Sequence, residues 1–133
     1  MTGFTFDTGA LIALERRRAS VTKVYAYALR SGAPITVPTV VLAEWWRAGA
    51  GRRFRQRLLA TVTVEDLTRR IAAVAGEAIG HVARHQPDAG TIDAIVVSSA
   101  WLRGDVVYTS DSGDLCAIRD AVPALSPLTI VRV

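Results

Sequence analysis

The stretch GFTFDTGALIAL (residues 3–14) decides the fold class, because its periodicity changes part-way along. Residues 3–6 have the aromatic and β-branched composition of a strand. Ala10, Leu11 and Leu14 then recur at helical spacing. A strand that leads directly into a helix is typical of an α/β protein, and Asp7 stands at the junction between the two.

The rest of the chain continues this alternation of strands and helices. The further strands are predicted at residues 35–37, 61–64, 106–109 and 128–133. The further helices are predicted at residues 21–30, 38–46, 52–59, 67–82, 92–102 and 112–121, with a turn at residues 86–90. Parallel strands need such crossover helices, so we expect a mainly parallel sheet covered by helices. No linker or repeat interrupts the pattern, which predicts one α/β domain over residues 1–133.

Composition excludes several classes of protein. Half of the 133 residues are hydrophobic and 21% are charged, which excludes disorder as the main state. The single cysteine, Cys116, excludes a disulfide framework and a cysteine-based zinc site. No apolar run approaches the roughly 18 residues of a membrane span, and the first residues lack a secretory signal. We therefore expect a soluble cytoplasmic protein without a membrane partner.

The charge balance indicates a polyanionic partner. The formal net charge is +4, and Lys23 is the only basic residue that is not arginine or histidine. A genome rich in G and C explains the arginine bias equally well, but it does not explain the net positive charge. The densest basic cluster contains Arg47, Arg52, Arg53, Arg55 and Arg57. As contacts to RNA, these side chains would bind phosphates without reading sequence.

Two other roles remain open for this basic cluster. It could be an ordinary solvated helix face. It could also accept a partner protein together with Trp45 and Trp46, of which one ring is free to be exposed because adjacent helical positions point in different directions.

Acidic residues fall repeatedly at the predicted junctions of strands and helices. Asp7 follows the first strand, Asp111 follows the strand that ends at residue 109, and Asp114 lies three residues further on. Asp93 lies in the first turn of its helix if Thr91 is the cap, and Glu44 interrupts an otherwise apolar helix. Binding sites of parallel sheets collect at these junctions, so the carboxylates are predicted to share one edge.

Each carboxylate also has a structural explanation. Asp7 and Asp111 are suited to cap helices, and Asp114 could complete a capping box with Asp111. The helix dipole favours Asp93 in a first turn. Glu44 is costly among valines and tryptophans unless it is paired with an arginine across the fold or bound to a metal.

The carboxylates carry more information as a set. Several of them at one edge repel one another, and a cation would relieve that repulsion. An all-oxygen site without histidine or cysteine suits Mg²⁺ or Mn²⁺. With a basic surface nearby, the pattern predicts hydrolysis of a phosphodiester by metal-activated water.

The ordered acidic set resembles that of the PIN-domain ribonucleases, and most of all the VapC-type toxins of type II toxin–antitoxin pairs. The matching segments are Asp7-Thr8, Glu44 after Pro38-Thr39, Asp93-Ala94-Ile95 and Thr109-Ser110-Asp111. The resemblance covers the length of the chain and the order of its elements. It implies a three-layer α/β/α fold and a Mg²⁺-dependent endoribonuclease, with Mn²⁺ able to substitute. It also implies a homodimer that cleaves RNA and is bound by a cognate antitoxin protein.

The resemblance assigns roles to individual residues. Asp7 and Asp93 match the principal metal ligands, and Glu44 and Asp111 match the two positions that bind or orient the metal and the attacking water. Asp114 matches a less regular fifth acidic position. Thr8, Thr109 and Ser110 match supporting hydroxyl positions. Gly9 departs from the family pattern, because a serine or another small polar residue often follows the Asp-Thr pair.

Three alternatives remain beside this interpretation. The first is a non-catalytic PIN-like module that holds RNA or a partner protein without cutting. The second is an aspartic protease, because Asp7-Thr8-Gly9 matches the catalytic triplet of those all-β enzymes. The third is a zinc site at His81 and His85, which are four residues apart on a predicted helix, although two solvent-facing histidines explain that spacing as well.

Overall fold

The computed structural model describes residues 1–47, 49, 51–83 and 90–133. Its strands are β1 (Phe4–Phe6), β2 (Ile35–Pro38), β3 (Thr63–Glu65), β4 (Val106–Thr109) and β5 (Ile130–Arg132). Its helices are α1 (Thr8–Glu15), α2 (Ala19–Ser31), α3 (Thr39–Arg47), α4 (Arg52–Leu59), α5 (Arg69–Val82), α6 (Thr91–Arg103) and α7 (Gly113–Ala121). A short 3₁₀ helix follows at Pro123–Leu125. None of the helices in these ranges is long and apolar enough to cross a membrane.

The five strands form one sheet in the order β3-β2-β1-β4-β5, and each pair is parallel. The predicted parallel sheet is therefore confirmed. The chain builds outward from β1 through β2 to β3, then returns to the other side of β1 for β4 and β5. This reversal makes the boundary between β1 and β4 the switch point where sites form in such sheets.

Helices cover both faces of the sheet. Successive residues of a strand point to opposite faces, and Phe4 and Thr5 of β1 contact different helices. The ring of Phe4 stacks on Tyr27 of α2, whereas Thr5 accepts a hydrogen bond from Arg103 of α6. The helices α2 and α6 thus lie on opposite sides of the sheet, as a three-layer arrangement requires.

The core is centred on β1 and α6. All three residues of β1 are buried, as expected for a strand covered on both faces. The helix α6 is buried continuously from Ala94 to Ala100, because the sheet, α5 and α7 surround it. This burial on every side fixes the position of the first turn of α6, where Asp93 lies.

Some predicted boundaries are wrong in instructive ways. Pro38 ends β2 instead of opening α3, and it pairs with Glu65 at the end of β3. A proline is tolerated at the limit of a strand because few ladder hydrogen bonds remain there. The cap of α6 is Gly90 and not Thr91. Cys116 is half-buried and free, and the turn predicted at residues 86–90 lies outside the described residues except for Gly90.

One guanidinium joins elements that are distant in sequence. Arg103 at the end of α6 donates to Asp105 Oδ2 at 2.9 Å and to Thr5 Oγ1 at 2.6 Å, and it also forms an ion pair with Glu65 of β3. Thr5 in turn donates to Asp105 Oδ2 at 2.8 Å. Asp105 is almost fully buried, so Arg103 supplies the positive charge that its carboxylate needs.

We expect Arg103→Ala to destabilise the protein by about 3 kcal/mol, because it leaves the buried Asp105 carboxylate without its partner. Arg119→Ala is the matched control, since Arg119 pairs with the exposed Asp120 and should cost less than about 1 kcal/mol. Urea unfolding measures both changes. A loss of less than about 1 kcal/mol in Arg103→Ala, no larger than that of an exposed pair, would show that the Arg103 network is not stabilising.

Candidate active site

The register of the sheet brings the strand ends together. Phe6 of β1 lies beside Tyr108 of β4, so Asp7 and Thr109, which follow them, come level at the same edge. The helices α3 and α6 add side chains from the sequence-distant segments. The result is an open pocket of about 200 Å³. It is lined by Asp7, Thr8, Gly9, Glu44, Ile92, Asp93, Val96, Thr109, Ser110, Asp111 and Asp114.

The pocket thus contains all five carboxylates and all three hydroxyl residues that the sequence singles out. Ile92 and Val96 also line it and were not predicted. Helical spacing offers a signal for Val96, which lies three residues after Asp93 and therefore on the same side of α6. The sequence gives no comparable indication that Ile92 lines the pocket, because a hydrophobic residue in a helix is expected in the core.

Asp7 is both a helix cap and part of the pocket. Its extended backbone precedes α1, and its Oδ1 accepts from the backbone N–H of Ala10 at 2.8 Å. Its Oδ2 accepts from Thr109 Oγ1 at 2.5 Å. The carboxylate is 8% exposed, so two neutral hydrogen bonds orient a charged group that is nearly enclosed.

Thr109 forms hydrogen bonds with two acidic residues, Asp7 and Asp111. Its hydroxyl is fully buried and also lies 2.9 Å from the carbonyl oxygen of Asp111. It accepts from the backbone N–H of Asp111 at 3.1 Å. Since the hydroxyl has only one proton, it donates to the nearer acceptor, the Asp7 carboxylate. The N–H of Asp111 still holds the loop after β4 to the Thr109 oxygen.

Glu44 is held by a hydroxyl and not by an arginine. Its Oε1 accepts from Thr8 Oγ1 at 2.6 Å, and the side chain is half-buried. No arginine or lysine pairs with Glu44 in the described ranges, so the structural explanation by a partner arginine is wrong.

Asp111 and Asp114 do not form a capping box. The cap of α7 is Ser112, without a side-chain hydrogen bond. Asp111 Oδ1 instead accepts from the N–H of Gly113 at 3.2 Å in a local turn. Both acidic side chains remain exposed at the mouth of the pocket, where they add negative charge.

Burial and mutual repulsion make this cluster unfavourable when it is fully ionised. Burial, opposed by the hydrogen bonds from Thr109 and Ala10 and reinforced by Glu44 and Asp111, raises the pKa of Asp7 from 3.8 to about 6. Burial also raises the pKa of Asp93 to about 6, with further contributions from the neighbouring carboxylates, Asp114 first. Such paired shifts in a cleft are typical of functional sites.

The donor set fits a hard divalent cation. All candidate ligands are oxygens, and no basic side chain in the described residues pairs with them. As these side chains lie, no three acidic, histidine or cysteine residues of the described chain form a group that could hold a metal. Mg²⁺ needs only one or two carboxylates because it retains several waters, and the pocket has room for them.

Gly9, where the sequence departs from the family pattern, has a steric explanation. A Cβ on residue 9 would overlap Ser110 Oγ, with the Ser110 backbone nitrogen at 3.3 Å. The Ser110 hydroxyl therefore occupies the space that a side chain at position 9 would need. The pocket keeps a hydroxyl at this point, supplied from the loop after β4.

The predicted arginine contacts lie outside the pocket. Arg52 and Arg53 are exposed on α4, and Arg55 is half-buried there. Of the tandem tryptophans, Trp45 is fully buried and Trp46 is 48% exposed. His81 is exposed on α5, and His85 lies outside the described residues, so the zinc alternative stays open. The parallel sheet with covering helices rules out the all-β fold of an aspartic protease.

Known proteins share this architecture. No family model and no curated protein sequence matches the chain. Solved structures do match it over almost its whole length. A chain of the DNA-bound VapBC from Salmonella typhimurium is 17% identical, with a TM-score of 0.76, and the match covers 99% of this chain and 98% of that one. This chain has the PIN-like fold of VapC-type toxins.

Two further matches agree with that assignment. A chain of VapBC2 from Rickettsia felis, bound to a promoter DNA fragment, is 14% identical over 98% of both chains, with a TM-score of 0.75. VapC20 from Mycobacterium tuberculosis, a toxin that cleaves the sarcin-ricin loop, is 21% identical. That match covers 86% of this chain and 95% of that one, with a TM-score of 0.63. The expected three-layer PIN-like fold is therefore confirmed.

The raised pKa of Asp7 predicts how stability depends on pH without divalent cations. A carboxyl that binds its proton more tightly when folded stabilises the protein below about pH 4, and this stabilisation is lost as pH rises through about 6. For Asp7 the loss reaches up to about 3 kcal/mol. Urea unfolding in chelator between pH 4 and pH 7.5 measures it.

Asp7→Asn should remove the share of this pH dependence that Asp7 contributes, leaving that of Asp93, and should raise the free energy of unfolding at pH 7.5. Asparagine keeps the cap on α1, and its amide can donate to Thr109, whose hydroxyl then donates to the Asp111 carbonyl. Asp120→Asn, at an exposed site, is the control and should leave the curve unchanged. A curve in Asp7→Asn that is as steep as that of the wild type would contradict the assignment.

Proposed function

We propose that this protein is a Mg²⁺-dependent endoribonuclease and the toxin of a toxin–antitoxin pair. One observation carries the proposal. Five carboxylates, two of them with a pKa raised to about 6, meet at the switch point of a parallel sheet without a basic partner in the described chain. Such a cluster is suited to bind a cation that also coordinates the phosphate oxygens of a substrate.

The structural neighbours support this choice of activity and partner. One of them is a toxin that cleaves RNA at the sarcin-ricin loop, and others are VapBC assemblies bound to DNA. We extend these properties to the present chain, and we propose RNA as its substrate, a cognate antitoxin as its partner, a homodimer as its assembly and the cytoplasm as its location. The net charge of +4 favours a polyanionic substrate.

The carboxylates have different roles in this proposal. Asp7 and Asp93, the two most strongly perturbed, would bind the Mg²⁺, with Mn²⁺ able to substitute. When bound, the cation would supply an activated water and neutralise charge that develops on the phosphate. Asp111 and Asp114, at the mouth of the pocket, would add ligands or orient water from the exposed side.

Glu44 is suited to accept a proton from the attacking water. Thr8 donates to Glu44 Oε1, which leaves Oε2 free to accept from a water that approaches the phosphorus. Thr109 and Ala10 fix the Asp7 carboxylate through both of its oxygens, so that group is oriented before substrate arrives. With water as nucleophile, the reaction does not require the RNA 2′-hydroxyl.

We expect the purified protein to cut total cellular RNA into discrete fragments with Mg²⁺, and not in chelator. Asp7→Asn should lower the rate by at least about 100-fold, since even changes beside metal ligands cost 10- to 100-fold. Asp120→Asn is the exposed-carboxylate control and should cut at the wild-type rate. Full activity in Asp7→Asn would refute the proposed site.

Mg²⁺ titration of thermal stability separates the nuclease from a non-catalytic binding module. Binding to the folded state alone raises stability by roughly 3 kcal/mol at a hundredfold excess over Kd. We expect Tm to rise with Mg²⁺ in the wild type and in Asp120→Asn, and to respond far less in Asp93→Asn. If Tm is indifferent to Mg²⁺ in all three, a module without a metal site is the better description.

A further inference from the structure

An exposed indole lies on the helix that carries Glu44, outside the acidic pocket. Trp46 is 48% exposed, whereas its neighbour Trp45 is fully buried in the core. Both belong to α3, the helix that also carries Glu44. Indole rings contribute most when they are buried, so a half-exposed ring on an ordered helix has a surface available for a ligand.

Arg55 of α4 supports the ring from one side. Its guanidinium carbon lies 4.1 Å from the centroid of Trp46, which is the geometry of a cation–π contact. Arg55 Nε is buried and lacks a hydrogen-bond partner among the described residues. The Trp46 ring, and not a carboxylate, therefore holds this guanidinium in place.

Trp45 fixes the ring further. Its indole meets Trp46 edge-on, with the centroids 6.4 Å apart and the planes at 88°. Trp45 is itself held by Phe54 of α4 in a similar edge contact at 6.1 Å. Arg55 thus covers one face of Trp46 and Trp45 holds the ring beside the core, while about half of the residue stays exposed to solvent.

The surroundings of Trp46 carry unneutralised positive charge. Arg47, Arg52 and Arg53 are exposed, and the sequence has no acidic residue between Arg47 and Glu65. Within the described residues, none of these arginines takes part in an ion pair. An aromatic ring beside one guanidinium group, with exposed arginines on its own helix and on the next one, matches a ligand that has flat bases and a phosphate backbone.

We propose that Trp46 stacks an unpaired base of the RNA, with Arg55 behind the ring and Arg47, Arg52 and Arg53 on the flanking phosphates. The inference rests on the proposed function, because the bound strand is the one whose phosphodiester enters the acidic pocket. Base stacking needs a free base face, which a duplex does not offer. The base that stacks on Trp46 must therefore be unpaired.

The helix geometry connects the two sites. Trp46 follows Glu44 by two residues, which places it about 3 Å further along α3 and on nearly the opposite side. A strand that crosses the end of α3 can reach both positions within about one helix diameter, 10–12 Å. A base held on Trp46 would then determine which phosphodiester of the strand is presented to the carboxylates.

Binding of a fluorescently labelled single-stranded RNA, measured by anisotropy in chelator, tests the stacking without hydrolysis. We expect Trp46→Ala to weaken binding about 10-fold or more, while Trp46→Phe retains most of the affinity. Leu29→Ala removes an equally exposed apolar side chain on α2 and should leave the affinity unchanged. Circular dichroism checks that each variant is folded, and Trp46→Leu replaces the alanine variant if that variant is not.

The salt dependence of binding and a comparison of single-stranded with duplex RNA identify the ligand more closely. Arg53→Gln should reduce the slope of log K against log salt by about 1, whereas Arg70→Gln, at an exposed site on α5, should leave it unchanged. A fully paired duplex of the same sequence should bind wild type and Trp46→Ala equally. A Trp46 dependence that is equal for duplex and single strand would overturn the stacking of an unpaired base.

Wild-type affinity in folded Trp46→Ala would also overturn the inference and leave this surface to a partner protein. The outcomes remain separate from those of the proposed function. Trp46-dependent binding by a protein that never cleaves would retain the inference and refute the nuclease. Mg²⁺-dependent cleavage with Trp46-independent binding would retain the nuclease and refute the inference.

Discussion

The hydrogen bond from Thr109 Oγ1 to Asp7 Oδ2 joins the ends of the two strands at the switch point of the sheet. It holds a nearly buried carboxylate in a fixed direction and, through the contacts of Thr109 with Asp111, fixes the loop after β4. The remaining acidic side chains line the same pocket. It relieves part of the cost of burying Asp7, but the pKa of Asp7 is still raised to about 6.

Electrostatic repulsion between the carboxylates of the pocket therefore lowers the stability of the folded protein. Continuous burial of α6 fixes the first turn that carries Asp93, and the Thr8 hydroxyl holds Glu44. These neutral donors orient the carboxylates without neutralising them, so the negative charge remains available to a cation. A basic partner at Asp7 would have stabilised the apoprotein and removed that capacity. Four arginines, Arg52, Arg53, Arg55 and Arg57, lie instead on α4, outside the pocket.

Much of this arrangement could be predicted from the sequence. The strand-to-helix junctions at Asp7 and Asp111 were identifiable because periodicity changes there, and parallel connections force such junctions to one edge. Asp7 both caps α1 and lines the pocket, because its Oδ1 accepts from the N–H of Ala10 and its Oδ2 accepts from Thr109. Pro38 was misplaced because a proline suits both a strand limit and a helix start. The hydrogen bond from Thr8 to Glu44 and the stacking of Arg55 on Trp46 depend on side-chain directions across elements, which local patterns do not encode.

Burial and mutual repulsion raise the pKa values of Asp7 and Asp93 to about 6, and we propose that these two carboxylates would hold a divalent cation. Carbon-13 NMR titration of the aspartate carboxyl groups, with and without Mg²⁺, tests it residue by residue. The account predicts that both groups titrate near pH 6 in chelator and that Mg²⁺ shifts both titrations well below that value. Titration of both groups near the ordinary value of about 4, unchanged by Mg²⁺, would contradict it.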